Sequence, residues 1–174
     1  MGKPVVLGRP TVSKILLVGQ APGDKEPVLG RPFAWTAGKQ LFKWFASIGV
    51  DEETFRSRVY MAAVCRCFPG KNPKGGDRVP SETEIAACRP WLEQELEILR
   101  PRLIIPVGRL AIEQLLGPGD LKELIGKCHR RDGRDLIPLP HPSGASTWYK
   151  MPPGDRLTKK ALALIAAHPA WLRG

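Results

Sequence analysis

The chain has 174 residues, with 27 lysines and arginines against 17 acids and a formal net charge of +10. That length suits one domain with a real core and excludes two full-sized ones, and a hydrophobic share of 43% excludes a disordered or fibrous chain. No apolar run reaches the roughly 18 residues of a membrane span, and Met1 to Pro10 lacks the apolar stretch of a signal peptide. A cytoplasmic protein without membrane attachment is therefore expected, and its basic balance suits a nucleic-acid partner without naming one.

Ile15–Gly19 (ILLVG) reads as a buried strand that runs into the loop Gly19–Thr36. Thr36 is placed to cap a helix with Leu41, Phe45 and Ile48 on one face, ended by Gly49. Arg58–Val64 is the next predicted strand, and the loop Cys65–Pro80 after it is basic and glycine-rich. Ser81-Glu82-Thr83-Glu84 has the form of a capping box opening a helix whose stripe is Ile85, Cys88, Leu92, Leu96 and Leu99. A third strand is predicted over Leu103–Val107, limited by Pro106, and a third helix over Gly108–Leu116. Leu136–Leu139 is the fourth strand, and Asp155 is placed to cap a last helix with Leu157, Ala161, Leu162 and Ile165 inward.

This alternation predicts a single α/β domain over residues 1–174, a three-layer αβα sandwich around a central four-stranded parallel sheet. Binding sites in such sheets lie beyond the carboxyl ends of the strands. The loops Gly19–Thr36 and Cys65–Pro80, the turn at Gly108 and the segment His141–Pro153 are therefore the places to look. The Cys65–Pro80 loop reads either as a solvated turn or as a phosphate contact, which the overall charge favours.

Two of these loops carry specific chemistry: Gly19-Gln20-Ala21-Pro22-Gly23 after the first strand and His141-Pro142-Ser143 after the last. With Gly30-Arg31-Pro32-Phe33, Ala37-Gly38, Val59-Tyr60, Cys67, Pro69-Gly70, Glu84-Ile85-Ala86-Ala87-Cys88-Arg89-Pro90 and Leu99-Arg100-Pro101 through Gly108-Arg109, they make the chain resemble the uracil-DNA glycosylase superfamily, nearest its thermostable-type family 4 branch. The resemblance implies hydrolysis of the N-glycosidic bond of a damaged base, which must first be flipped out of the duplex. It assigns Phe33 to stacking on the base and His141 to donating a hydrogen bond to the charge that develops on it. Ala21, Pro22 and Ala63 would line the base pocket, and Ser143, Gly144 and Ala145 would meet the DNA backbone. Lys71, Lys74, Arg78 and Lys150 are candidate phosphate contacts, each also readable as a solvated charge. His129 and His168 match nothing in the family and read as surface residues.

Three departures from the family pattern stand out. Gln20 occupies a place where family 4 typically has glutamate, so the obvious base is missing. Glutamine can orient water but cannot take its proton; Asp24, then Glu26, are the carboxylates nearest in sequence. Ala63 stands where an asparagine usually reads the uracil edge, which leaves hypoxanthine and xanthine open beside uracil. Family 4 also implies an iron–sulfur cluster on four cysteines, but only Cys88 falls at a matching position. A rearranged set of Cys65, Cys67, Cys88 and Cys128 is the alternative to the expectation of no metal and no cofactor. Ala145 replaces the usual wedge leucine, so Trp148 or Tyr149 is expected to fill the gap left by the flipped base, unless they pack against the last helix.

The sequence thus predicts a monomeric, monofunctional uracil-DNA glycosylase in which Gln20 and Asp24 position water. Two other classes remain: a DNA- or damage-binding member without catalysis, and more remotely a nucleoside hydrolase, for which so basic a chain is unnecessary.

Overall fold

The computed structural model describes residues 4–172; the ends of the predicted domain, residues 1–3 and 173–174, lie outside it. The elements are β1 (Ile15–Gly19), α1 (Glu26–Leu29), α2 (Thr36–Ala46), α3 (Glu52–Arg58), β2 (Tyr60–Ala63), α4 (Glu82–Leu99), β3 (Leu103–Pro106), α5 (Arg109–Leu116), α6 (Leu121–Leu124), β4 (His129–Arg131), β5 (Arg134–Leu136), a single 3-10 turn (Trp148–Lys150), α7 (Gly154–Ala167) and α8 (Pro169–Leu172). The strand order is β2-β1-β3-β5-β4.

The four predicted strands are present and parallel, with Leu17 paired to Met61 on one side and Ile105 on the other. A fifth, β4, joins antiparallel at the edge and corrects the four-stranded expectation. Its hairpin turns on Asp132 (φ 48°) and Gly133 (φ 74°), the Asp-Gly pair that a two-residue turn with two positive φ angles favours. The fourth strand is also shorter than Leu136–Leu139. Pro106 still accepts from the Leu139 amide at 2.8 Å but has no N–H to return, so beyond Leu136 only the Val107–Leu139 bridge continues the ladder.

Successive residues of β1 point to opposite faces and bury both. Ile15 and Leu17 join Leu41, Phe45, Phe55, Ala161 and Ile165 of α2, α3 and α7, while Leu16 and Val18 join Ile85, Cys88, Leu92 and Leu99 of α4. This period of two produces the three layers. The capping box is present, with Ser81 Oγ accepting from the Glu84 amide and Glu84 accepting from the Ser81 amide. Two other caps differ from expectation: Trp35 precedes α2, with Thr36 as its first residue, and Pro153 precedes α7, so neither Thr36 nor Asp155 caps. Helix α3 takes the residues before Tyr60 because Asp51 accepts from the Thr54 amide at 2.8 Å and starts a helix there. Strand two is therefore shorter than Arg58–Val64.

Candidate active site

The carboxyl ends of β1 and β3 and the segment after β5 converge on Gly108, whose φ of 89° favours glycine. A Cβ there would lie 2.9 Å from His141 Cδ2 and 3.0 Å from Gln20 Oε1. The two family motifs thus meet over a residue that must lack a side chain. Gln20 Oε1 accepts from the Leu110 amide at 3.1 Å, supplying the N-terminal cap that Gly108 cannot give α5.

His141 Nδ1 accepts from the Ser143 amide at 3.2 Å. A backbone N–H can only donate, so Nδ1 carries no proton and the neutral ring carries it on Nε2. Burial holds the imidazole below its ordinary 6.5, opposed by the charge of Asp77, so it is neutral at pH 7. Nε2 finds no acceptor among the described residues and is available as a donor.

Phe33 lies with Cε2 3.1 Å and Cζ 3.2 Å from where a Cβ on Gly19 would be. Its φ of 53° is rare for a residue with a side chain, and its neighbours hold it there. Glu26, 9% exposed, takes hydrogen bonds from the backbone of Gly23, Phe33 and Ala34, and burial pushes its carboxyl up to about 7. On the other side Arg56, 4% exposed, donates to Pro32 O at 3.0 Å and Phe33 O at 3.1 Å. Gly38 completes the clamp: a Cβ there would meet Phe33 O at 1.8 Å. Glu26 was considered only as a stand-in for the missing base, and Arg56 was missed because it lies in no motif. The signal available was only an acid and a base in the segments flanking the Phe33 loop.

The Cys65–Pro80 loop folds back over the first motif. Lys71 Nζ lies 3.0 Å from Asp24 Oδ2 and 2.8 Å from Asp77 Oδ1, and its hydrogen bond holds the Asp24 carboxyl below the usual range. Asp77, absent from the sequence-level candidates, reaches within 3.1 Å of a Cβ built on Gly23. Arg78 is not a free phosphate contact: it makes two 2.8 Å bonds to Glu84 and donates to Pro69 O. Lys74 is exposed.

Ala21 packs against the α4 side of the core and Pro22 is buried. Ala63 ends β2 opposite Gly19 and brings no polar side chain. Gly144 and Ala145 are exposed, with Gly144 O accepting from Lys150 at 3.3 Å. The expected wedge residues pack instead. Tyr149 meets Trp44 edge-on at 5.0 Å, and Trp148 sits so close to Gly154 that a Cβ there would be 2.7 Å from its ring. The exposed aromatic beside the Phe33 loop is Trp35, two residues after Phe33, 49% exposed with Lys39 Nζ 5.7 Å from its ring centre. Of the histidines read as surface residues, His129 is half-buried and bonds Leu124 O at 2.7 Å. The His168 side chain is 9% exposed and meets Asp135 at 3.1 Å.

The four cysteines do not fit an iron–sulfur cluster. Among the described residues no three His, Cys, Asp or Glu side chains are placed to hold a metal. Cys65 is fully buried, and burial with the neighbouring Cys88 pushes its thiol up to about 12. Cys128 is exposed just before the edge hairpin.

Residues 6–171 match the Uracil DNA glycosylase superfamily. The chain belongs to this superfamily. It is 38% identical over 143 residues to the type-4 uracil-DNA glycosylase of Sulfurisphaera tokodaii, covering 76% of this chain and 61% of that one. It is 36% identical over 124 residues to that of Pyrobaculum aerophilum (67% and 57%), and 31% over 143 residues to that of Thermotoga maritima (80% and 70%). Its similarity is thus to the family 4 branch, although it spans only about three fifths of the first two relatives. A DNA polymerase of Bacillus phage SP01 is also similar, 27% over 155 residues, covering 89% of this chain and 16% of the polymerase. No described helix is long and apolar enough to cross a membrane.

Proposed function

We propose that the protein removes uracil from DNA by hydrolysing its N-glycosidic bond, leaving an abasic site. The observation that carries this reading is that His141, against Gly108 and Gln20, and Phe33, against Gly19, both lie at the carboxyl ends of the parallel strands, with an Nε2–H donor that finds no acceptor among the described residues. A flipped base stacks on the Phe33 ring, and His141 Nε2–H donates to the carbonyl oxygen that gains charge as the bond breaks. A neutral donor suits this task because it stabilises an anion without first losing charge to solvent. Ser143, whose amide is engaged by His141, keeps its hydroxyl for a DNA phosphate, flanked by exposed Gly144 and Ala145. Lys74 adds a phosphate contact. Trp35, with Lys39 beside it, takes the gap-filling place that the sequence offered to Trp148 or Tyr149.

In this reading the enzyme is a cytoplasmic monomer and monofunctional, since no lysine lies in the motif residues for a Schiff base. Ala63 favours a second reading, a wider range of deaminated bases, because it leaves the base edge without a side-chain partner at that point. The test compares wild type with His141→Ala on oligonucleotides carrying uracil, hypoxanthine or xanthine, single- and double-stranded. Uracil release by wild type and a loss of about 100-fold or more in the variant, with DNA affinity kept, are expected. Full activity in His141→Ala would sink the assignment.

A further inference from the structure

We propose that Asp77, carried across the first motif by the Cys65–Pro80 loop, is the carboxylate that faces the sugar and takes the proton of the attacking water. The proposal rests on the glycosylase reading above. As the bond from the sugar to the base breaks, its electron pair leaves with the base and the sugar becomes oxocarbenium-like. Water then forms the new bond to the same carbon and must lose a proton. A nearby carboxylate serves both stages: its charge opposes the cation, and it accepts that proton before passing it to solvent. The base anion takes its own proton from solvent.

The remaining polar groups of the floor are already committed. Gln20 is neutral, and its oxygen caps α5. Glu26 is buried and turned toward the backbone amides of Gly23, Phe33 and Ala34. Asp24 Oδ2 lies against Lys71 at 3.0 Å and Lys25 at 3.8 Å. Asp77 has one oxygen anchored and one open. Oδ1 is held by Lys71 at 2.8 Å, while Oδ2 sits over Gly23 and accepts no hydrogen bond from a described residue. Its charge is felt at His141.

The loop holds Asp77 there by its own bonds. Lys71 and Asp77 form an antiparallel bridge, Asn72 N donates to Gly76 O at 2.9 Å, and Arg78 N donates to Gly70 O at 2.8 Å. Gly75 and Gly76, at φ 95° and 77°, close the tip. At its base the hairpin is tied to α4 through Arg78 and Glu84. Gly23 has no side chain to block the approach.

Single-turnover release of uracil from a single-stranded oligonucleotide tests this in wild type, Asp77→Asn and Asp77→Ala. Asp77→Asn is expected to lower the rate constant about 100-fold while affinity for an oligonucleotide with a tetrahydrofuran abasic analogue is kept. Added formate is expected to restore part of the rate to Asp77→Ala but not to Asp77→Asn, whose amide fills the place. An unchanged rate in Asp77→Asn, or a parallel loss of rate and affinity that formate does not relieve, would overturn the proposal. Failure of wild type to release any of the three bases would instead overturn the glycosylase reading, and this proposal with it.

Discussion

Two loops meet over the candidate site, and they are held by opposite means. The Gly19–Thr36 segment is fixed by polar groups out of water: Glu26 and Arg56 bond the backbone on either side of Phe33, and Gly38 packs against its carbonyl. The Cys65–Pro80 segment, beyond its own backbone bonds, is tied to its surroundings by ion pairs nearer the surface, the Asp24–Lys71–Asp77 set and the Arg78–Glu84 pair. Buried hydrogen bonds are costly to break and insensitive to salt, whereas exposed ion pairs are individually weak and screened. The stacking aromatic is therefore rigidly placed, and the charged loop over it can adjust to a substrate. A strained φ at Phe33 persists only because its surroundings over-determine it.

The largest expected effect that separates the regions comes at Gly108. Gly108→Ala would drive a Cβ against His141 and Gln20 at a φ of 89°. Uracil release should fall by about 100-fold or more, since small misplacements of a catalytic group cost that much. A variant with wild-type rates would show that the motif contact is not part of the site.

Next is the pH dependence of the buried clamp. Burial raises the Glu26 carboxyl from 4.5 to about 7, so the native state keeps a proton that the unfolded chain loses. This contribution to stability is complete below pH 4.5, is lost as pH rises to about 7, and is flat above. The range corresponds to a change on the order of 3 kcal/mol. Thermal unfolding of wild type and Glu26→Gln between pH 4 and 8 checks it: the wild type should lose stability relative to the variant as pH rises. A difference that stays constant with pH would place no buried proton at Glu26.

A smaller effect concerns Trp35. Trp35→Ala should weaken binding of a single-stranded oligonucleotide by about 10-fold, the scale of one base stacked on an aromatic ring, without lowering the thermal midpoint. Equal affinity in titrations of variant and wild type would remove Trp35 from the DNA interface.

The smallest effect separates two basic residues of the same loop. Lys74→Ala should reduce the slope of log affinity against log salt by about one, the signature of a single phosphate contact. Arg78→Ala should leave the slope unchanged, because its charge is already matched by Glu84. The reverse result in salt titrations would exchange their roles.

Much of the fold and part of the site were legible in the sequence. The buried strand Ile15–Gly19, the capping box at Ser81 and the stop at Gly49 rest on signals within a few residues of one another. So does the turn at Gly108. His141 and Phe33 were named from local motifs, and the structure brings each to the end of the sheet. The edge hairpin was not predicted: Asp132-Gly133 marks its turn, but its short strands carry no alternating apolar pattern.

Other features depend on residues far apart in the chain. The Lys71 ammonium chooses between solvent, Asp24, Asp77 and a phosphate only once its loop has a path, and Arg78 is lost to Glu84 in the same way. Trp148 and Tyr149 carry the composition of a wedge, yet Trp44 and the tight approach of Gly154 turn them inward. The His141 tautomer follows from a single backbone amide. The sequence by itself determined a basic domain of parallel strands and helices with both motifs at strand ends, because periodicity and capping are local. Only the tertiary structure decided which carboxylate stands open over the site, which aromatic near Phe33 is exposed and where the proton of His141 lies, because each depends on packing between segments distant in the chain.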